Sequence, residues 1–426
     1  MLLLSLPASE AGVHRHRRTF FLGLAVALMS VFAVPAPATA ATVTTGTVFN
    51  DPSSGTAADQ DRVRDHLVSL IDGAPAGSSI SVSMYTFTDD PVRQALIAAK
   101  GRGVAVKVIV DHKSSETVTK GGEYENLAAG LGTDRTQPSW ALDCGQDRGC
   151  VGTRVLGTAT EPDPAINHNK FFLFSRTGGA DNVVVQTSAN LSTLQRERLF
   201  NNAVTIVDKG LYDNYLAYFA DHVTHAAGPG LAHYYKTPTS ATDPAYKAYF
   251  FPRKESAGTT YKTDPSTDTV KLILDKVDCA AGSEVRMAAN LFYRDHIATK
   301  MADMAKAGCS VILAADADPN GGGEGKPSMG RTVEDILYGK LTQRVECWEA
   351  PPAGRTGNIG LHSKYLLVNG TYDGVAGKRI VWTGSHNYSW QALRQNDETL
   401  LKIDNAALYE QYKANHVKLM SYCAGG

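Results

Sequence analysis

The chain has 426 residues, 43% of them apolar and 20% charged, which is the composition of a folded globular protein and excludes wholesale disorder. That length exceeds one ordinary core and predicts two domains. A formal charge of −1 excludes a surface built throughout for nucleic acid, while leaving room for a local basic groove.

Residues 1–40 read as an export signal. His14 to Arg18 form a positive segment, Thr19 to Val34 an apolar one, and Ala38-Thr39-Ala40 an A-x-A cleavage site. The apolar run is short for a permanent membrane span and ends in Pro35 and Pro37. Arg17-Arg18 before Phe20-Phe21-Leu22 suits twin-arginine export, and a Sec signal is equally readable. Cleavage would leave 39 basic against 42 acidic residues, a charge of −3, in a secreted, extracellular protein. All six cysteines lie beyond the signal, an even number that fits an oxidising location. Cys144 and Cys150 are close enough for a local bridge, and Cys279, Cys309, Cys347 and Cys423 can pair in three ways. No C-x-x-C or Cys-His spacing supports a zinc site.

In chain order, Val63, Leu67, Leu70 and Ile71 recur at helical spacing, and Ile80 to Tyr85 alternates as a half-buried strand. Pro91 to Lys100 reads as a helix ended by Gly101 and Gly103, and Val104 to Val110 as a strand finishing at Asp111. Lys113 to Cys150 is long and polar and reads as a loop. The same order then returns: helix Val270–Val277, strand Ser283–Ala288, helix His296–Lys306, strand Ser310–Ala314 ending at Asp316. Gly77 matches Gly282, Gly103 matches Gly308 and Asp111 matches Asp316, each pair 205 apart. A constant offset over three landmarks indicates duplication of a whole α/β domain. The second half has its own long loop, Ala317 to Thr332, glycine-rich at Gly321 to Gly323, at the corresponding place. Domains are expected at 41–235 and 266–426, with a Pro-, Gly-, Thr- and Tyr-rich junction at 236–265. Within it, Tyr249 to Pro252 reads as either a strand or a buried hinge.

The duplication carries chemistry. Asn167-His168-Asn169-Lys170 and the apolar run after it match Leu361-His362-Ser363-Lys364 and its run, 194 residues on. Val183 to Asn190, ending Thr187-Ser188-Ala189-Asn190, matches Ile380 to Asn387, ending Gly384-Ser385-His386-Asn387. One H-x-K strand is weak evidence; two copies, each with a downstream Ser and Asn, are not. If the halves meet at these strands, two imidazoles and two lysines share one pocket. One neutral imidazole can attack an electrophile and the other, protonated, can serve the leaving group. Two lysines suit an anionic substrate and its more negative transition state, so a phosphodiester fits better than an ester or amide. No G-x-S-x-G elbow, P-loop or HExxH pattern competes.

The paired motifs resemble the phospholipase D superfamily, whose signature is HxKxxxxD with a downstream GSxN, over nearly all of the chain beyond residue 40. The resemblance implies two pseudo-symmetric α/β sandwich domains with the active site at their interface. It also implies a covalent phosphohistidine intermediate resolved by water or an alcohol, with no cofactor and no obligatory metal. The site residues it implies are His168, Lys170, Ser188 and Asn190 from the first copy and His362, Lys364, Ser385 and Asn387 from the second.

Three departures from the signature stand out. Ser175 and Asn369 occupy the position of the motif Asp, and Thr187 stands where glycine is usual. The family often carries a downstream acid that supports the histidine of the opposite half. Asn396-Asp397-Glu398 supplies Glu398, whereas Asn201-Asn202-Ala203 leaves Ala203. Glu398 would then hold His168, making His168 the nucleophile and His362 the general acid. His386, matched by Ala189, is a substrate-side or packing residue, and Asp111 and Asp316 read as strand caps or site residues. The expected substrate is a phospholipid headgroup phosphodiester met at a membrane surface; a secreted nuclease and a non-catalytic phosphate- or lipid-binding protein are the alternatives. Both half-sites lie in one chain, so a monomer is expected.

Overall fold

The computed structural model describes residues 42–112, 123–323 and 325–425. The expected export segment and the first part of the long polar stretch, 113–122, lie outside the described residues.

The first half contains β1 (Gly46–Phe49), β2 (Ser79–Met84), β3 (Ala105–Val110), β4 (Trp140–Asp143), a hairpin of β5 (Val155–Gly157) and β6 (Pro162–Pro164), β7 (Lys170–Thr177), β8 (Ala180–Thr187), β9 (Leu199–Phe200) and β10 (Asn202–Val207). The second contains β11 (Tyr246–Phe250), β12 (Val277–Asp278), β13 (Glu284–Ala289), β14 (Ser310–Asp316), β15 (Gln343–Glu349), β16 (Ile359–Leu361), β17 (Tyr365–Tyr372), β18 (Val375–Gly384) and β19 (Thr399–Asp404). The first sheet runs β1-β10-β8-β7-β2-β3-β4 and the second β11-β19-β18-β17-β13-β14-β15, extended by β16 and β9. Position by position the two orders are the same, with β2/β3/β4 and β13/β14/β15 parallel and the motif strands antiparallel to β2 and β13. The duplication read from the 205-residue offset is thus a duplication of topology.

Alternation along the motif strands feeds two cores at once. Phe171 and Leu173 of β7, with Tyr365 and Leu367 of β17, join a central cluster shared by both halves. Phe172 and Phe174 face the first half's outer core, and Leu366 and Val368 the second's. The central cluster also takes the aromatic stripes of helices Lys209–Ala226 and Ala406–Tyr422, including Tyr215, Tyr218, Tyr409 and Tyr412. Each of these helices starts at an N-cap side chain, Asp208 accepting from Leu211 N–H and Asn405 from Leu408 N–H.

One stretch differs from the sequence reading and another resolves an alternative it left open. Lys113 to Cys150 is not all loop: helix Glu123–Leu131 and strand β4 lie in it, Leu127, Leu131 and Trp140 being buried. Such short elements leave too few apolar positions for a period to show. In the junction, Tyr246–Phe250 is a strand, β11, paired antiparallel with β19 at the edge of the second sheet as β1 is paired with β10 in the first. Three disulfides join Cys144 to Cys150, Cys279 to Cys309 and Cys347 to Cys423. Among the described residues no helix is long and apolar enough to cross a membrane.

Candidate active site

The two H-x-K segments enter the site just ahead of β7 and β17, and each is fixed by the opposite half. His168 N–H donates to the carbonyl of Asp397 at 3.0 Å, and His362 N–H to the carbonyl of Phe200 at 2.9 Å. Strand-end carboxylates hold the residues just before them: Asp111 accepts from Asn167 N–H and Asp316 from Leu361 N–H, both at 2.7 Å. Asp111 and Asp316 therefore anchor the motif backbone.

The imidazoles differ in what faces Nδ1. His168 Nδ1 lies 3.0 Å from Glu398 Oε2 and 2.8 Å from Oε1. His362 Nδ1 lies 3.1 Å from both the Ser188 carbonyl and Asn201 Oδ1. Each Nδ1 meets an acceptor, so Nδ1 carries the hydrogen in the neutral ring and Nε2 keeps the lone pair.

The serines stand behind these partners. Ser385 Oγ donates to Glu398 Oε2 at 2.5 Å and accepts from Thr399 N–H at 3.0 Å; Ser188 Oγ donates to Asn201 Oδ1 at 2.9 Å and accepts from Asn202 N–H at 3.0 Å. Both serines are fully buried, each tying down the group that orients a histidine. Asn387 Oδ1 accepts weakly from Leu291 N–H at 3.4 Å, whereas Asn190 Oδ1 is buried with no partner among the described residues.

This geometry corrects the alignment of the downstream segment. Register sets Ala203 opposite Thr187 and Leu400 opposite Gly384, so the counterpart of Glu398 is Asn201 and not Ala203. The spacing holds the signal: Ser385 to Glu398 and Ser188 to Asn201 are both thirteen residues. The Thr187 departure is also local. A Cβ at Gly384 would fall 2.1 Å from the Thr399 carbonyl oxygen, while Thr187 turns its hydroxyl onto the Asn202 carbonyl at 2.8 Å. Ser175, at the position of the motif Asp, accepts from Ser79 N–H at the start of β2, about 23 Å along an extended strand from His168.

Lys170 Nζ donates to the His168 carbonyl at 2.8 Å and Lys364 Nζ to the His362 carbonyl at 2.6 Å. Burial pushes Lys170 down to about 7 and Lys364 well below its usual value, each opposed in part by Glu398. Burial, then the lysine charges, lowers both histidines, and burial raises Glu398 to about 8 against the pull of Lys170 and the Ser385 hydrogen bond. Two histidines and two lysines are buried together here, and a bound anion would favour their charged forms.

Sequence reasoning missed Tyr85. Its ring is 5.0 Å from the His168 ring and 5.1 Å from Lys170 Nζ, whereas the offset of 205 places Asn290 in the other half. His386 is fully buried against Phe251, ring centroids 4.3 Å apart, so it packs within the fold. Trp382 packs on Tyr372 in the outer core. Among the described residues no group of three or more His, Cys, Asp or Glu is arranged to hold a metal ion.

The family model described as "Cardiolipin synthase, PLD-like domain" matches residues 67–223 and again 274–419. Phosphatidylserine synthase from Haemophilus influenzae Rd KW20 is 12% identical with a TM-score of 0.55, over 88% of this chain and 86% of the synthase. Polyphosphate kinase from Porphyromonas gingivalis is 10% identical with a TM-score of 0.51, over 88% of this chain; the chain spans about half, 50%, of the kinase's length. Nuc, a phospholipase D family member from Salmonella typhimurium, is 20% identical with a TM-score of 0.28, over 43% of this chain and 95% of Nuc. The synthase and the kinase establish likeness of fold alone. Comparison with curated proteins finds no match.

Proposed function

Since the chain belongs to the PLD-like domain family of the phospholipase D superfamily, phosphodiester-cleaving or -transferring enzymes, we propose that it is a secreted phosphodiesterase acting on phospholipid headgroups. The observation that carries the mechanism is the unequal pair of Nδ1 partners, Glu398 on His168 and Asn201 on His362.

In the first step His168 Nε2 attacks phosphorus and the bond to the headgroup oxygen breaks. An anionic diester bound beside His362 favours its doubly protonated ring; the leaving oxygen takes that ring's Nε2 proton, and the headgroup leaves as an alcohol. The phosphorylated ring, with hydrogen still on Nδ1, is formally cationic, and the Glu398 carboxylate across that N–H stabilises it. Neutral acceptors on His362 give its imidazolium no such support, so its proton is released readily. In the second step water or an alcohol attacks phosphorus, its proton passes to His362, and the P–N bond to His168 breaks. Lys170 and Lys364 neutralise the non-bridging oxygens, with Asn190 and Asn387 as neutral donors beside them. Ser188 and Ser385 act as positioning residues through Asn201 and Glu398.

The absence of a general basic excess and the three disulfides support a phospholipid substrate met outside the cell. Headgroup release from phosphatidylcholine and phosphatidylethanolamine vesicles, run beside plasmid DNA with EDTA present, tests this. Release from vesicles, abolished in His168→Asn and His362→Asn, is the expected result. Degradation of DNA alone would move the substrate to nucleic acid, and full activity in both variants would remove the mechanism.

A further inference from the structure

The two halves treat the residue before the histidine-orienting group in opposite ways. In the first half it is Phe200, buried against Tyr422 with ring centroids 5.2 Å apart. In the second it is Asp397, and both backbones do the same work, each carbonyl accepting the N–H of a motif histidine. The first copy shows that an apolar side chain serves this framework. A fully buried carboxylate in the second is therefore no packing requirement, and it is costly unless it has partners.

Its partners come from one loop of the other half. Asp397 Oδ2 accepts from Val151 N–H at 2.9 Å and Oδ1 from Gly152 N–H at 2.6 Å. These two residues follow directly on the Cys144–Cys150 disulfide, whose ring is tied by Arg148 to the carbonyls of His225 and Gly228, both at 2.8 Å, at the end of helix Lys209–Ala226. Gly149 lets it approach, since a Cβ there would lie 2.6 Å from Asp397 Oδ2. The next residue is Glu398, whose carboxylate faces His168 Nδ1.

We propose that Asp397 is a positioning residue, clamped by the backbone that follows the disulfide ring of the first half, which fixes the carboxylate of Glu398 on His168. The proposal rests on the reading of His168 as the nucleophile. Asp397→Asn keeps the shape but sets an amide NH2 against one of the two backbone N–H groups, leaving that donor unpaired.

The test uses the full chain with bis(p-nitrophenyl) phosphate as substrate, together with the NMR signal of the His168 Nδ1–H proton, identified by its loss in His168→Asn. Asp397→Asn is expected to lower kcat by about tenfold to a hundredfold. KM should change little, and the Nδ1–H signal should shift or vanish. The pair Cys144→Ser/Cys150→Ser should act in the same direction, and adding Asp397→Asn to it should cost less than the product of the separate losses. A folded Asp397→Asn protein with kcat within twofold of wild type and an unmoved Nδ1–H signal would overturn the proposal, as would fully multiplicative losses. If Asp397→Asn does not fold, the cysteine pair decides alone by the same two readouts. Should the wild-type protein prove inactive on phosphodiesters, the reading of its function fails while the Nδ1–H signal still tests the clamp.

Discussion

Lys170 is a residue whose charge state depends on what the site holds. Burial sets it at about 7 in the free protein, and Glu398 and Asp111 only partly offset that cost. A phosphate oxygen beside Nζ favours the charged form, so binding raises this value. Below about pH 7 Lys170 is already protonated and binding takes up little; above it, each ligand bound brings a proton with it. Affinity for sulfate, an anion whose charge is fixed over this range, should therefore fall as pH rises past about 7, and calorimetry in buffers of different ionisation enthalpy should show net proton uptake at pH 8. Asn201 makes a second prediction at this scale. Asn201→Asp gives His362 a carboxylate partner, which holds its proton more tightly and weakens it as an acid. Activity on alkyl diesters, whose leaving oxygen needs that proton, should drop by more than about tenfold, while p-nitrophenyl diesters, which need it least, should be nearly unaffected. Equal losses on both substrates would contradict the assignment of His362.

At the scale of elements, the β2-helix-β3 and β13-helix-β14 units are legible in sequence because alternation and helical spacing run unbroken through them and glycines end them in register. The motif strands are legible because the residues after Lys170 and Lys364 are apolar on both faces, each strand being sandwiched between two cores. Strand β4 and helix Glu123–Leu131 are not, because short buried elements set among polar residues carry no period. Nor is the role of Asp397, since nothing local says that Val151 and Gly152 will stand beside it. The four cysteines that sequence left in three pairings join Cys279 to Cys309 and Cys347 to Cys423, closing 30 and 76 residues. In the chain-entropy account these loops are worth about 3.6 and about 4.5 kcal/mol. Replacing Cys347 and Cys423 by serine should lower stability to denaturant more than replacing Cys279 and Cys309, and the reverse order would show that local packing outweighs loop entropy.

At the scale of the whole molecule, duplication explains why the chain is twice the length of one domain. Each half supplies a histidine and a lysine, and each orients the other half's histidine, His168 through Glu398 and His362 through Asn201. Neither half is complete alone, and both lie in one chain, so specific activity should not change as the protein is diluted. A loss of activity on dilution would point to a required second copy. The pseudo-symmetry is also broken where the mechanism needs it, with Glu398 against Asn201 and Asp397 against Phe200. The most direct measurement of the central claim is to quench the enzyme during turnover of a phosphodiester at neutral to alkaline pH and locate the covalent adduct by peptide mass spectrometry. The adduct is expected on His168 and should be absent from His168→Asn; an adduct on His362, or turnover with no histidine adduct in the wild-type protein, would contradict it.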